Sequence, residues 1–185
     1  MSNIKPYIGI DCEMVELAGG RSALAQVTLV DADGRLVYTA YVRPPVGARI
    51  ADYRTEFSGI TPEILHNPRN PSFARVQADV AALIRGKIVV GHALENDFRA
   101  LRLTHPPEDI RNTTKMPIYM RVGAAGRLQP RKLKDLALEF LGRAIQTRGH
   151  DAGEDAAAAM ALFRRARATR RRRRRASAQT ARARR

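Results

Sequence analysis

The sequence has one cysteine and no apolar run long enough to cross a lipid bilayer. The single Cys12 excludes an intramolecular disulfide, which fits a reducing compartment. A membrane-spanning helix needs roughly 20 consecutive apolar residues, and no segment of this chain approaches that length. Residues 1–6 also lack the apolar core of a signal peptide. These absences predict a soluble, intracellular protein without a membrane partner.

Acidic residues are missing from one end of the chain, where the arginines are concentrated. The net charge is +15, and residues 164–185 hold 12 arginines and no acid. Residues 1–163 hold 21 basic and 18 acidic residues, so their net charge is only +3. A near-neutral body with a polycationic tail indicates a polyanionic partner, most often nucleic acid. Because the arginines repel one another and nothing apolar can be buried, residues 166–185 are predicted to form a disordered tail.

The length of 185 residues suits a single domain, which we place at residues 1–165. The Asp31-Ala32-Asp33-Gly34 turn predicts that two of the first strands form an antiparallel hairpin. Strand-like and helical apolar spacing then alternates. The predicted strands are residues 7–15, 22–30, 35–43, 87–91 and 109–113, and the predicted helices are residues 73–84, 94–101, 133–141 and one that begins near residue 152. This order predicts an α/β fold with a mixed sheet.

Two acids, Asp11 and Glu13, stand in the first predicted strand. Because side chains alternate along a strand, positions i and i+2 share a face, and both carboxylates project from the same side. Burying two adjacent carboxylates costs free energy unless a cation is near, either a basic side chain or a metal ion. The alternative is a strand end at which both acids are simply solvated, and a pattern this short does not decide between the two.

Further acids stand at the starts of two predicted helices. Asp97 falls in the first turns of its helix, on the side that faces the sheet, where it is a cap, a surface ion-pair partner or a ligand. In the last helix, Asp151 and Glu154 resemble a capping box. That assignment puts His150 and Asp155 at two positions that pack together, so the imidazole and the carboxylate are predicted to be neighbours. An ordinary ion pair at a helix start is the alternative for this pair.

Together these residues favour one kind of chemistry. Carboxylates that converge can hold two divalent cations about 3.5–4 Å apart, which activate water and stabilise the leaving oxygen in phosphodiester hydrolysis. Oxygen ligands favour Mg²⁺ or Mn²⁺ over zinc. The reaction also needs a base that titrates near neutral pH, and His150 suits that role.

The chain resembles the DEDDh 3′→5′ exonucleases, and within them the group of RNA exonuclease 4 and the interferon-stimulated exonucleases. The resemblance covers roughly residues 5–165, and its motifs occur in the family order and at the family spacing. The matching segments are Ile10-Asp11-Cys12-Glu13-Met14-Val15, Asp52-Tyr53-Arg54-Thr55 with Ser58-Gly59-Ile60, Val90-Gly91-His92-Ala93-Leu94 with Asn96-Asp97, and His150 with Glu154-Asp155-Ala156.

The resemblance implies a ribonuclease-H-like fold, with a five-stranded mixed sheet flanked by helices. It implies that Asp11 bridges two metal ions and that Glu13 and Asp155 ligate the ion that binds the attacking water. Asp97 would complete the second metal site, and His150 would be the general base. The implied reaction releases 5′-mononucleotides from the 3′ end of a single-stranded nucleic acid, with RNA favoured over DNA.

Met14 and Arg54 match family positions near the terminal nucleotide. Strand alternation turns Met14 away from Asp11 and Glu13, so contact with substrate requires a bend at the strand end. Core packing is the alternative reading of Met14. Arg54 either contacts a phosphate or is a surface charge.

Two segments depart from the family pattern. Asn112-Thr113 stands where the family often has Asp-Thr or Asp-Ser, and residues 130–134 replace its usual Pro-Ser-Leu-Lys-like segment. Both departures bear on substrate preference rather than on activity, because neither touches the five active-site positions.

Other functions stay open beside the exonuclease. The arginine tail is either a solvated terminus or a targeting signal for the nucleus and nucleolus that also holds RNA through counterion release. A catalytically idle RNA-binding protein is one alternative, although it predicts a broken ligand set and all five positions are filled. A scaffold in ribosome assembly is another, and it is compatible with nuclease activity. The sequence predicts a monomeric exonuclease of ribosomal RNA processing in the nucleolus.

Overall fold

The computed structural model describes residues 5–124 and 126–183, with side chains described as far as Gln179. The strands are β1 (Tyr7–Leu17), β2 (Arg21–Val30), β3 (Leu36–Tyr41), β4 (Ile50–Asp52), β5 (Ile88–Gly91), β6 (Ile110–Asn112), β7 (Arg121–Val122) and β8 (Leu128–Gln129). The helices are α1 (Thr55–Ser58), α2 (Pro62–Leu65), α3 (Phe73–Ile84), α4 (Glu95–Leu101), α5 (Leu133–Leu141) and α6 (Ala152–Ala183). Each predicted strand is found within a few residues of its expected bounds, and so is the start of each predicted helix.

The central sheet has the strand order β3-β2-β1-β5-β6. β1 pairs antiparallel with β2 and parallel with β5. β3 is antiparallel to β2, and β6 is parallel to β5. The short β4 pairs with the far end of β1 and adds a sixth strand beside this row. The predicted five-stranded mixed sheet is therefore confirmed, with one short strand added.

Turn and cap residues set where several of these elements begin. In the turn between β2 and β3, the Asp31 carboxylate accepts hydrogen bonds from the backbone N–H groups of Asp33 and Arg35, at 2.8 and 2.9 Å. The Ser72 hydroxyl caps α3 by accepting the Arg75 N–H at 3.4 Å. These side chains take up backbone donors that a turn or a helix start leaves without partners.

Helices cover both faces of the sheet. On one face, α3 and α4 pack on the strands, and the buried core there comprises Ile8, Ile10, Cys12, Leu24, Val27, Leu29, Val42, Val76, Val80, Ile84, Val89, Leu94 and Leu101. On the other face α6 lies across the strands, and the core there comprises Val30, Val90, Ala156, Met160 and Phe163. α5 packs against α6 rather than against the sheet. The result is a three-layer α/β domain of the ribonuclease-H-like kind.

Gly9 allows α6 to lie close to the centre of the sheet. A Cβ atom at this position would be 2.6 Å from Val30 Cγ2 and 3.3 Å from the Ala156 carbonyl oxygen. The hydrogen of glycine leaves that space to the helix. Because Asp155 adjoins Ala156 and Asp11 shares the face of Gly9, this close approach brings the two carboxylates toward each other.

The last helix continues well past the predicted end of the domain. We expected disorder at residues 166–185, whereas α6 runs without interruption to Ala183, and residues 184–185 lie outside the described residues. Alanine and arginine are strong helix formers, and the turns that pack on the sheet already supply the costly helix nucleus. Each further residue only extends an existing helix, which opposes the repulsion between the arginines. Among the described residues, no helix combines the length and the apolar composition needed to cross a membrane.

We predict that Gly9→Ala destabilises the fold by about 1–3 kcal/mol, because overpacking forces the neighbours of the new methyl group to move. Urea denaturation measures the change in the free energy of unfolding. Ser22→Ala, at an exposed position of β2, is the matched control and should unfold like the unchanged chain. A Gly9→Ala protein of unchanged stability would contradict the close packing of α6 on β1.

Candidate active site

Four carboxylates from three elements meet at one edge of the sheet. Asp11 and Glu13 come from β1, Asp97 from the first turn of α4 and Asp155 from the first turn of α6. Since β1 and β5 are parallel, the end of β1 and the helix that follows β5 lie at the same edge. All four carboxylates and His150 line a single cleft of about 670 Å³. The structure thus brings together the five residues that the sequence pointed to.

Met14 keeps the side of β1 that strand alternation gives it. The pairing of β1 with β2 shifts register between Glu13 and Met14, and the extra residue, Ala25, is on β2. The bend that we expected contact with the cleft to require is not needed, because Cys12, two residues earlier on the same face, also lines the cleft. The Met14 side chain lines the cleft and also packs against the core on the α3 face. Both readings of Met14 therefore hold at the level of its contacts.

The start of α6 holds His150 against Asp155. His150 Nδ1 lies 3.2 Å from Asp155 Oδ2, and the Asp151 carboxylate caps the helix by accepting the Glu154 N–H at 2.8 Å. A capping box also requires the Glu154 side chain to accept the backbone N–H of Asp151, and this part of the prediction is wrong. Glu154 accepts the Gln146 N–H at 2.9 Å instead, because the preceding loop folds over the helix start.

Burial makes the charged forms of these carboxylates unfavourable. Glu13 is 8% exposed, Asp97 4% and Asp155 3%. Burial, reinforced by the charges of Asp155 and Asp97, raises the pKa of Glu13 to about 8. Burial also raises the pKa of Asp11 well above its usual range, and the charges of Asp97 and Asp155 add to the effect.

Hydrogen bonds offset part of this effect at two of the carboxylates. Burial raises the pKa of Asp97 to about 7, although a hydrogen bond with the Cys12 thiol lowers it. Burial likewise raises the pKa of Asp155, against a hydrogen bond from Gln146 Nε2 at 2.8 Å and the contact with His150. These partners hold the carboxylates in place without neutralising them.

The cluster calls for positive charge at ion-pairing distance, which the described lysines and arginines do not supply. Among the residues that the structure describes, no lysine or arginine forms an ion pair with Asp11, Glu13 or Asp97. Asp155 Oδ1 is buried and has no hydrogen-bond partner. Glu13, His150 and Asp155 offer ligand atoms within 4.8 Å of one another. A set of oxygen donors with one unused buried oxygen fits a divalent cation.

The cleft also contains residues that the sequence reasoning did not single out as functional. Phe57 lies on its wall and is 63% exposed, which is unusual for a large aromatic side chain. Lys132 and Lys134 line it beside the start of α5. Because these two lysines flank Leu133, the first residue of a predicted helix, the sequence could have indicated a basic site at this helix start. Gln146 reaches the cleft from a loop in which its own φ angle is +58°. No local sequence pattern predicts that this residue lines the cleft.

Arg54 lies beside the cleft rather than in it. It borders a side pocket of about 350 Å³ that shares Glu13, Met14 and His150 with the main cleft. Its guanidinium donates to Glu16 Oε2 at 3.0 Å. This ion pair holds the Arg54 guanidinium next to the site, so the geometry allows the guanidinium to contact a phosphate at that pocket.

Asn112, one of the departures from the family pattern, organises the approach to α4. Its Oδ1 accepts the Ala93 N–H at 3.0 Å and the Thr114 hydroxyl at 2.7 Å. Its Nδ2 donates to Glu95 Oε2 at 2.8 Å. Glu95 opens the helix that carries Asp97, so this network positions a carboxylate of the site. An aspartate at position 112 could not donate to Glu95.

Sequence comparison finds the same protein family. A model of the Exonuclease (RNase_T) family matches residues 8–163. RNA exonuclease 4 from Aspergillus fumigatus is 46% identical over 167 residues, which cover 89% of this chain and 52% of that protein. The human apoptosis-enhancing nuclease is 42% identical over 161 residues, which cover 85% of this chain and 48% of that protein. The chain spans about half the length of these curated relatives.

Solved structures of similar fold include nuclease domains of Pan2. The Neurospora crassa Pan2 catalytic unit, with its protease and nuclease domains, matches with a TM-score of 0.74 and 28% identity, over 88% of this chain and 27% of that chain. The Saccharomyces cerevisiae Pan2 pseudoubiquitin hydrolase–RNA exonuclease module in complex with A7 RNA matches with a TM-score of 0.73 and 30% identity, over 88% and 29% of the two chains.

The fold and the carboxylate-lined cleft define a ribonuclease-H-like protein of the nuclease class. The chain belongs to the Exonuclease (RNase_T) family, whose model covers most of its length. The resemblance to the RNA exonuclease 4 group, drawn from short motifs, is confirmed. The prediction of an exonuclease enzyme is confirmed at the level of the family.

We predict that the cation-free protein loses stability as the pH rises. The folded-state pKa values of Glu13 and Asp97 are raised, so their protonation stabilises the fold. That contribution is complete below about pH 4 and is lost as the pH rises to about 8, by up to about 1.4 kcal/mol per pH unit for each group. Urea denaturation in chelator at pH 5 and pH 8 measures the loss.

Mg²⁺ or Mn²⁺ should stabilise the protein more at pH 8 than at pH 5, because the cation binds the ionised carboxylates. Glu13→Gln should weaken both the pH dependence and the effect of the cation. Glu108→Gln, at an exposed acid, is the matched control. Equal stabilisation by the cation at both pH values would show that these carboxylates do not form the cation site.

We predict that Asn112→Asp destabilises the fold by about 1–3 kcal/mol, because it replaces a buried donor with a second carboxylate next to Glu95. The double variant Asn112→Asp with Glu95→Gln should recover much of the loss, since the amide introduced at position 95 can donate to the carboxylate introduced at position 112. A urea denaturation cycle over the two single variants and the double variant measures the coupling. Additive effects would contradict the bond between the two side chains.

Proposed function

We propose that this chain is a metal-dependent 3′→5′ exonuclease that hydrolyses single-stranded RNA, with single-stranded DNA as a second substrate. The observation that carries the proposal is the convergence of four carboxylates and His150 in one cleft, with a buried oxygen of Asp155 left without a partner. Such a set is costly for a fold to maintain without a cation, and cations held by carboxylates suit phosphodiester hydrolysis.

The residues fit two Mg²⁺ or Mn²⁺ ions. Asp11, Glu13 and Asp155 would hold one ion, and Asp11 with Asp97 would hold the other, as the family resemblance implies. The bound ions would lower the pKa of the attacking water and stabilise negative charge on the leaving oxygen. The raised pKa values of Asp11 and Glu13 agree with this role, because a cation offsets both the burial and the repulsion that raise them.

His150 would accept a proton from the attacking water. Its ring is 42% exposed while Asp155 is buried, so the imidazole can pass the proton on to solvent. The water oxygen bonds to the terminal phosphorus as the bond from phosphorus to the 3′ oxygen of the preceding nucleotide breaks. That oxygen gains a proton, and a 5′-mononucleotide leaves.

The walls of the cleft suit a terminal nucleotide. Lys132 and Lys134 place positive charge where phosphate oxygens would lie. The exposed ring of Phe57 and the Met14 side chain offer surfaces against which a base can stack. Arg54 would hold a phosphate at the side pocket.

The choice of RNA rests on the relatives. Several of them are named RNA exonuclease 4, and the Pan2 module that shares this fold is a complex with RNA. We extend the proposal to ribosomal RNA processing by a monomer in the nucleus, in particular the nucleolus, because of the group resemblance and the cluster of arginines at residues 170–175.

We predict that Asp11→Asn lowers hydrolysis of 5′-labelled single-stranded RNA on the order of 10³-fold, since metal-ion stabilisation supplies several kcal/mol. His150→Ala should lower it on the order of 10²–10⁴-fold by removing the base. Denaturing gels should show the RNA shortening from its 3′ end in Mn²⁺ or Mg²⁺ and staying intact in chelator. Asp135→Asn, at an exposed acid of α5, is the matched control and should remain active.

If the unchanged chain leaves the RNA intact both in Mn²⁺ and in Mg²⁺, the enzyme proposal is overturned. Persistent binding of RNA by that inactive chain would instead support the idle RNA-binding protein or the assembly scaffold. Equal hydrolysis of RNA and DNA would leave the exonuclease in place and remove the preference for RNA.

A further inference from the structure

A second groove, of about 790 Å³, lies between residues 163–177 of α6 and the segment of residues 111–118. Its floor is apolar and its rim carries arginines. The floor includes Tyr7, Met116 and Phe163, and the rim includes Arg167, Arg170 and Arg174. None of these residues lines the carboxylate cleft.

The spacing along α6 explains why these arginines share one face. Phe163, Arg167, Arg170 and Arg174 recur every three or four residues, which places them on the same side of a helix. The rotation of the helix is fixed by its buried face, because Ala156, Met160 and Phe163 pack against the sheet. The groove-facing arginines therefore have a defined direction.

Two aromatic side chains of the floor are in contact, and a guanidinium from the rim lies over one of them. The rings of Tyr7 and Phe163 lie 5.1 Å apart between centroids. The guanidinium carbon of Arg167 lies 5.1 Å from the Tyr7 ring centroid. Such a surface can receive the flat face of a nucleobase, since bases stack on aromatic rings and on arginine.

The charge of the groove selects an anion. Its lining contains five arginines and no acid: Arg111, Arg167, Arg170, Arg173 and Arg174. A polyanion gains affinity here through the release of counterions. An acidic protein would satisfy the charge, but unstacked bases would also use the apolar, aromatic floor. The combination favours a single-stranded nucleic acid.

We propose that this groove is an exosite for single-stranded RNA, which binds the upstream part of the strand whose 3′ end lies in the cleft. Arg170 follows Asp155 by 15 residues on the same helix, a distance of roughly 22 Å at about 1.5 Å per residue. One strand can reach both sites, because α6 runs from the cleft to the groove. The identity of the bound strand as substrate rests on the proposed function, whereas binding in the groove does not.

The test compares two charge-reversal variants of the full chain, each with Asp11→Asn so that no RNA is hydrolysed. Arg170→Glu with Arg174→Glu changes the groove. Arg171→Glu with Arg175→Glu makes the same charge change at the same spacing on residues outside the groove. Fluorescence anisotropy measures the Kd for a single-stranded RNA of about 30 nucleotides, well beyond a typical site of about 4–16 nucleotides.

The groove variant should bind roughly tenfold more weakly at about 0.1 M salt, and the control variant should lose much less. The slope of log K against log salt concentration should fall by about 1.4 in the groove variant, because each phosphate contact on a single strand contributes about 0.7. Equal losses in the two variants would mean that α6 binds RNA only as a diffuse polycation, and would overturn the exosite.

Two further measurements separate the remaining outcomes. Loss of polyglutamate binding without loss of RNA binding in the groove variant would overturn the RNA assignment in favour of an acidic protein. Hydrolysis by the chain without Asp11→Asn is assayed in parallel. If that chain leaves RNA intact while the groove variant still loses binding, the proposed function fails and the exosite stands.

Discussion

The burial of carboxylates that repel one another in a single cleft is the constraint on which the rest of the structure depends. Water would stabilise these charges, but Glu13, Asp97 and Asp155 are largely shielded from it. The raised pKa of Glu13 expresses that conflict, because it measures how strongly the fold favours the proton over the charge. A fold that keeps such a cluster needs a cation, and the oxygen donors determine which kind.

The elements around the cleft hold each carboxylate in place without neutralising it. Gly9 lets α6 approach β1, which brings Asp155 toward the strand acids. Gln146 donates to Asp155, and Asn112 ties down the residue that opens α4. These supports are neutral donors rather than lysines or arginines. A lysine or arginine in their place would fill the space that a metal ion needs and would neutralise the negative charge that attracts the ion.

The sequence alone predicted the parts of the site that follow from local periodicity. Strand alternation paired Asp11 with Glu13, and the spacing at a helix start paired His150 with Asp155. Two supporting contacts could not be predicted: the bond from Gln146 to Asp155 depends on a loop conformation, and the bond from Asn112 to Glu95 joins segments that are 17 residues apart in the sequence. The length of α6 was also missed, because charge composition predicts disorder while helix propensity and an existing nucleus extend the helix.

The single helix α6 links the two charge regions of the molecule. Its first turn carries Asp155 in the acidic cleft, and its later turns carry the arginines of the groove. A disordered tail would raise RNA affinity without fixing where the strand lies, since a flexible chain holds its charges at no set distance. A helix fixes both their spacing and their direction. The acids in its first turn, Glu154 and Asp155, also match the positive end of the helix dipole, so the element that separates the two charge regions is stabilised at its start by the acids it carries.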